Sequence, residues 1–587
     1  MNVLLKIFLL ITLTGFIQSH ENSVIKLSGK PISSESLSSS SINNAFDGDL
    51  TTVFKSSKAS NGWIGLKLDS KYIINKIGIA FPKTSRKEDY LLGILEGSTE
   101  PTFYESEPLY MITEELKLGE INYITIESAQ KYKYIRYIGP NNKYCIISEL
   151  EIYGDDELSI IKNFKNDDDD EEEYYYQATN LPLVIIQTED SVEPIDKENY
   201  ITSNILIIKD NKKDLKEKAK IKLRGNATLR LEKKSFRIKF DEKQSPLSMP
   251  SKSKSWTLLA NHSDKTLIRN MLAYKISSLF EMKYTPSCKP VDLILNGEFK
   301  GNYGLCDQVE EGEGRIEVTE MDETCIEEPE ISGGYIVQAD QWAQMGGESY
   351  YVSDKGVVYT IKYPDDKDIM PQQLEYIKNA FNVAEDESYN SIVNRIDLET
   401  FCKYILIEDL TGNGEAFWST YMTKERNDDK FYFGPVWDFD ISFDNDMRVY
   451  PVLEIKDFVF RHGTSAGTMN TLAEKILFNE ECLKKLKDIW RKYSEVVVSK
   501  ANLLKYISDE VKEIDQSQKL NFMRWDILNT LVLVNPIARG SFEAEVDYLK
   551  EYIQKRIDIT DEIVKNASVE DINKEVVKRI HHRKDKS

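Results

Sequence analysis

Hydrophobic and polar positions alternate with a period of two through the first quarter of the chain, and a helical period enters only after a polar break. Trp63-Ile64-Gly65-Leu66-Lys67-Leu68, Ile73-Ile74-Asn75-Lys76-Ile77-Gly78-Ile79 and Tyr134-Ile135-Arg136-Tyr137-Ile138 are strand patterns divided by turn residues. Successive strand side chains point to opposite faces, so this spacing over residues 22–155 predicts an all-β sandwich of the jelly-roll kind. The break is Asp167 to Asp170, Glu171 to Glu173 and Tyr174 to Tyr176, a run that repels itself and builds no core, read as an extended linker over 156–178. Residues 179–570 then mix both periods, which predicts an α+β domain.

Local patterns sharpen that second domain. In Ser235-Phe236-Arg237-Ile238-Lys239-Phe240 the two cations share one strand face while Phe236, Ile238 and Phe240 pack on the other. The pair beside a glycine turn suits phosphate charge, and the alternative is an edge strand guarded by basic residues. Ser255 to Ala260 reads as a strand, followed by a helix through Leu267, Met271, Leu272 and Ile276 that Ser263 or Asp264 would cap. Arg269 and Asn270 fall on its first turns, placed to bridge to the neighbouring loop or to remain at the surface. Asn296-Gly297 marks a tight hairpin turn. Residues 372–411 are helical, with Asp397 as N-cap and Gly412 as the stop. Later helical patterns, at 470–515 and 540–580, read as packing.

The densest chemistry lies between Gly412 and Asp440. Ser419-Thr420-Tyr421-Met422-Thr423-Lys424 and Lys430-Phe431-Tyr432-Phe433 read as strands joined by a hairpin-length polar loop. Antiparallel pairing sets Lys424 against Lys430 and brings Glu415 near Phe439, beside Asp438 and Asp440. Carboxylates on neighbouring positions of paired strands sit roughly 5 Å apart, and they repel unless a cation or a shared proton compensates. A hard divalent ion, Mg²⁺ or Mn²⁺, is the natural ligand for Asp438, Asp440 and Glu415. The bland alternative is a set of solvated acids at a polar turn.

Composition narrows the classes. The chain has 587 residues, 41% of them apolar, and a formal net charge of −22. That length predicts two or more domains, and that charge argues against general nucleic-acid binding, which needs a basic face. Lys6, the apolar run Ile7 to Ile17 and Gln18-Ser19-His20 form the pattern of a secretion signal over 1–19, and no later run is apolar for long enough to span a membrane. A secreted or surface location follows. The triplets at Asn226, Asn261 and Asn566 match the glycosylation pattern. Six cysteines are spaced too widely for a zinc cluster and allow one or two disulfides, with Cys306 and Cys325 as the first pairing. The end, over 571–587, is a solvated basic tail.

Two resemblances follow from named motifs. Asn44-Ala45-Phe46-Asp47-Gly48-Asp49-Leu50-Thr51-Thr52, Gly62-Trp63-Ile64-Gly65-Leu66, Tyr134 to Pro140 and Glu149 to Gly154 resemble the discoidin, or coagulation-factor type C, modules. That resemblance implies a galactose-binding-like jelly roll that binds glycans or surfaces, with Asp47 and Asp49 as calcium ligands; a plain spacer is the alternative. Arg224-Gly225-Asn226, Lys233 to Lys239, Trp256 to Asn261 with Asp264 and Arg269-Asn270, Tyr284-Thr285-Pro286, Asn296 to Gln308 and Gly434 to Asp440 resemble the spore-coat protein H (CotH) kinase family. This implies an atypical protein-kinase-like fold that uses ATP and a divalent metal to phosphorylate Ser/Thr of secreted or surface proteins. By the resemblance Asp438 is the metal-binding aspartate, Asp440 a second ligand or hydrogen-bonding partner, and Glu415 stands where the family usually has its catalytic-site aspartate. Arg237, Lys239, Lys234, Asn261 and Asp307 fall on the nucleotide side, with Asp307 pairing with Lys239 or Lys234. Two other readings stay open: a catalytically weak relative serving adhesion or recognition, and a metal-dependent phosphotransferase acting on glycans or small molecules.

Overall fold

The computed structural model describes residues 24–155 apart from Ser39, then 173–345 and 349–574. The expected leader, most of the acidic run and most of the basic tail lie outside the described residues.

The first domain is a β-sandwich. Its main sheet is built on one 18-residue strand, Trp63–Ala80, which pairs with Gly29–Ser33, Asn122–Thr125, Lys131–Ile138 and Glu149–Asp155. The two runs expected as separate strands are one, joined where the register against Lys131–Ile138 slips between Lys67 and Tyr72. Ile64, Leu66, Ile77, Ile79, Ile135 and Leu150 fill its core, as the period-two pattern requires.

The second domain opens with a closed seven-stranded barrel. Leu183–Thr188, Ile201–Lys209, Lys212–Arg224, Ser235–Gln244 and Ser253–Leu259 follow one another, then Glu298–Asp307 and Cys288–Leu295. Parallel pairing of Cys288–Leu295 with Leu183–Thr188 closes the ring. Closure leaves the strand of Arg237 and Lys239 paired on both sides, so it is not an edge. Phe236, Ile238, Trp256, Leu258, Val291 and Leu305 fill the interior. Cys288 and Cys306 face each other in register across adjacent strands and form the disulfide. The expected Cys306–Cys325 pair is therefore wrong: strand register selects the partner, and the Cys325 thiol instead lies beside Asp322 and Arg426.

A helical lobe follows. The helix Arg269–Leu279 packs against Leu398–Thr411, which packs against Glu480–Ser494 and Phe542–Asn566. Asp397 accepts the Thr400 N–H at the start of Leu398–Thr411, and Gly412, at φ 65°, ends it. A Cβ there would meet the Tyr552 hydroxyl at 2.3 Å, so only glycine fits. Asp409, in the last turn, is buried and bonded by Arg556 at 2.7 Å and Thr560 at 2.9 Å. The polar ladder fixes this helix against the longest one in the lobe. Among the described residues no helix is long and apolar enough to cross a membrane.

Sandwich and barrel share a packed seam. Leu92, Ile94 and Met111 meet Leu183, Ile185, Ile208 and Tyr175. Glu96 is fully buried and held by Arg136 at 2.8 and 3.0 Å, and Gln187 of the barrel donates to Ser106 at 2.8 Å. Tyr175, expected in the linker, is buried here with its N–H on the Asn211 carbonyl. Its ring buries apolar surface that the preceding acids cannot.

Candidate active-site cleft

The acids meet through two loops rather than through paired strands. Lys424 opposes Phe431, not Lys430, because the Asp428 carboxylate accepts the Lys430 N–H at 2.9 Å and keeps that residue in the turn. The strand stops at Phe433, so Asp438 and Asp440 lie beyond it, and Glu415 lies in turns after Gly412. The expected cross-strand placement is corrected accordingly.

Asp438 is the focus. Its backbone takes a left-handed φ of 73°, uncommon for a side chain other than glycine. The next N–H, of Phe439, is fixed by the Asn270 side-chain oxygen at 2.8 Å. The Asn270 amide also donates to Asn261 at 3.0 Å, so the bridge expected of this helix turn exists and ends at the Asp438 loop. Ser263 donates to the Asp440 carboxylate, and Asn445 donates to both the Ser263 and Asp440 carbonyls, at 3.0 and 2.9 Å. The barrel's exit loop and the metal-candidate loop are thus knitted together.

Among the described residues Asp438 makes no hydrogen bond or ion pair. Its side chain is exposed to solvent, with protein packed densely to one side of it. That setting raises its carboxyl to about 7, through burial first and then the charges of Asp440 and Glu415; only Arg224 opposes the rise. Burial in turn lowers the Arg224 guanidinium, with Asp438 as its main compensation. Arg224 lies over Trp437, which stacks on Tyr274, whose buried hydroxyl has no partner.

Glu415 is otherwise engaged. Arg448 bonds it at 2.6 Å and forks onto buried Asp446 at 2.7 to 3.0 Å. Burial raises the Glu415 carboxyl, with Arg448 pulling the other way. Beneath it, Asn413 accepts the Glu415 N–H at 3.0 Å and donates to Glu408 at 2.8 Å. Glu408 is buried, and burial raises it to about 8. Among the described residues no three His, Cys, Asp or Glu side chains are placed to hold a metal ion together, so the expected set of Asp438, Asp440 and Glu415 is not assembled as a three-carboxylate site. The donors nonetheless fit a hard divalent cation: one unpaired carboxylate beside further carboxylate oxygens suits an ion that keeps waters or phosphate oxygens as its other ligands.

The remaining residues divide. Asn261 is buried in the cleft wall on Asn270 and the Leu267 carbonyl. Arg237 shares the barrel's outer face with Lys239, opposite Lys222, and pairs with Glu310 at 3.4 Å. Lys239 is exposed, and Lys234 reaches the Leu229 carbonyl at 2.7 Å. Asp307 pairs with neither lysine. It is fully buried on Arg315 at 3.3 Å, with Ser251, Tyr284 and the Ser287 N–H around it, and it closes the barrel's end under Trp256. Arg224, Arg448 and Asn413 were assigned no site role from sequence, and Ser263, expected as a helix cap, instead holds the Asp440 carboxylate while Ile268 stands at the cap; a lone arginine at a strand end signals little until the chain folds back on it.

In the sandwich, Asp47 accepts from Asp49 N–H and Thr52, and Asp49 from Thr51. Hydrogen bonds to Thr51 hold the Asp49 carboxyl below its ordinary value. Both acids close their own turn.

A closed barrel and a helical lobe, joined at the loops that carry Asp438, Asp440 and Glu415 and preceded by a β-sandwich, define an α+β protein. The family described as CotH kinase protein matches residues 221–559, and the chain belongs to that family. A comparison with curated proteins finds no match. Over the sandwich, solved structures similar to the chain include a CBM62 module of Clostridium thermocellum Xyl5A, 27% identical, covering 22% of this chain and 96% of that one at a TM-score of 0.21. Another is a family 32 module of C. perfringens NanJ in complex with galactose, 16% identical, with 22% and 99% covered at 0.19. A fucolectin from striped bass, Morone saxatilis, is 15% identical, with 23% and 48% covered at 0.21.

Proposed function

We propose that this chain is an exported protein kinase that moves the γ-phosphoryl group of ATP to Ser/Thr hydroxyls of secreted or surface proteins. The observation that carries the reading is Asp438: a solvent-accessible carboxylate, crowded by two acids and opposed by Arg224. Such an arrangement is costly unless an ion completes it. Asp438, with Asp440 beside it, would hold Mg²⁺ or Mn²⁺, which neutralises the triphosphate when bound. Phosphoryl transfer needs chiefly positioning and fixed charge. Arg224 supplies a cation facing the same space, Asn270 and Ser263 fix the loop that carries the carboxylates, and Glu415 is held on a rigid turn to orient the acceptor hydroxyl. In the sandwich, exposed Tyr123 and half-buried Tyr153 flank Lys76 and share Glu151. Aromatic faces beside hydrogen-bonding groups suit a sugar ring, and we assign glycan attachment to this surface.

The full chain incubated with labelled ATP and Mg²⁺ or Mn²⁺ is expected to label itself or a Ser-rich protein, and Asp438→Ala to abolish the labelling. Folded protein that transfers no label in either metal overturns the reading. A second reading, a weak relative serving recognition, is favoured by one observation: the Glu415 carboxylate is already tied up by Arg448. Metal-dependent nucleotide binding without transfer would select it.

A further inference from the structure

Cys402 and Cys482 stand apart from the cleft chemistry. Both are fully buried, on Leu398–Thr411 and Glu480–Ser494, and their sulfurs lie 3.6 Å apart. An approach of about 1.5 Å, within reach of small side-chain rotations, gives the bonded separation of a disulfide. The same domain already holds the Cys288–Cys306 disulfide, which marks a chain that matures where thiols are oxidised. Cys145 and Cys325 are buried thiols elsewhere, in the sandwich core and beside Arg426.

We propose that Cys402 and Cys482 are joined by a second disulfide in the mature protein. The bond forms by exchange with an oxidant disulfide, either a small-molecule disulfide or the active disulfide of a protein oxidant. One cysteine thiolate attacks the oxidant disulfide, gives a mixed disulfide and releases one oxidant thiolate. The other cysteine thiolate then attacks the mixed disulfide and releases the second. Two electrons pass to the oxidant, which takes up the two protons and ends as two thiols, separate for a small-molecule disulfide and on one chain for a protein. In the folded state burial raises the Cys402 thiol well above its ordinary value, and a buried thiol is inert. Closure therefore belongs to folding, before the two helices seal the pair. The bond would clamp the helix whose end carries Gly412, Asn413 and Glu415 onto its neighbour, across a sequence separation of 80. The inference is independent of the catalytic reading.

The test uses the full chain recovered from the medium of a secreting host and, in parallel, full chain refolded in a mixture of oxidised and reduced glutathione. Each is denatured without reductant, alkylated and digested. The expected product is a peptide linking Cys402 to Cys482 that separates on reduction, with the alkyl label on Cys145 and Cys325. Label on Cys402 and Cys482 in both preparations, or either residue linked to a different cysteine, overturns the proposal. A Cys402→Ala/Cys482→Ala variant supplies a second measurement. Reductant should lower the Tm of the parent chain by more than that of the variant, and equal shifts count against the bond.

Discussion

Two crowded carboxylates in this protein differ in a respect that separates architecture from chemistry: one is sealed from solvent and the other is open to it. At the seam, Glu96 is inaccessible to solvent, with one oxygen held by Arg136 of its own domain and the other reached by Gln187 of the barrel at 3.5 Å. In the cleft, Asp438 is met by two like charges and one partly desolvated arginine. A compensated acid holds two domains together. An uncompensated one, kept in place by hydrogen bonds to its backbone neighbour, stores repulsion that a proton or a bound cation relieves.

Breaking the seam should give the largest effect. Arg136→Ala leaves Glu96 buried and unpaired, and we expect a loss of about 3–5 kcal/mol in denaturant unfolding, with phosphate transfer per folded molecule unchanged. Asp438→Asn should act in the opposite direction: a melting temperature raised on the order of 2 °C in the absence of metal, together with lost transfer. A drop in stability from Asp438→Asn would make that residue a second structural acid and remove the contrast.

Glu408 sharpens the comparison by pH. Its folded value, about 8, lies above the ordinary carboxylate value of 4.5. The folded state therefore holds a proton that the unfolded chain has released, and stability falls as pH rises from 4.5 toward 8. Glu408→Gln keeps the amide-bonding shape without the titration, so melting curves of the variant should decline less over that window. A parallel decline in both would show that Glu408 is ionised in the fold. The smallest effect belongs to Lys239→Ala, expected within about 0.5 kcal/mol and without consequence for nucleotide binding, because the side chain is exposed. Weakened ATP binding in that variant, measured by titration, would return Lys239 to the site.

Features set by neighbours in sequence were legible before folding was considered. The Asp397 cap and the Gly412 stop are local hydrogen-bonding and steric requirements, and both stand where the residues placed them. The alternating runs predicted the sandwich and the two faces of the strand carrying Arg237 and Lys239 for the same reason, since strand pleating turns sequence parity into inside and outside; closure of that strand into a barrel was not foreseen. The bridge from Asn270 was readable as a polar group on a first helical turn, though its target was not. Misreadings share a cause. Lys430 was placed in the strand because its period fits, yet a single Asp428 side chain holds it in the turn. Asp307 was given a lysine partner by analogy, while the chain delivers Arg315 from a later loop.

By itself, the sequence determined the domain order, the classes of secondary structure, the family motifs and the acids available for a metal, because each is written in local pattern. Tertiary structure decided which charges are answered and which are not: Arg448 on Glu415, Arg224 alone before Asp438, Arg136 on Glu96, Cys306 with Cys288. Those pairings join segments far apart in the chain, and the energy of a buried charge depends on everything folded around it rather than on its neighbours in sequence.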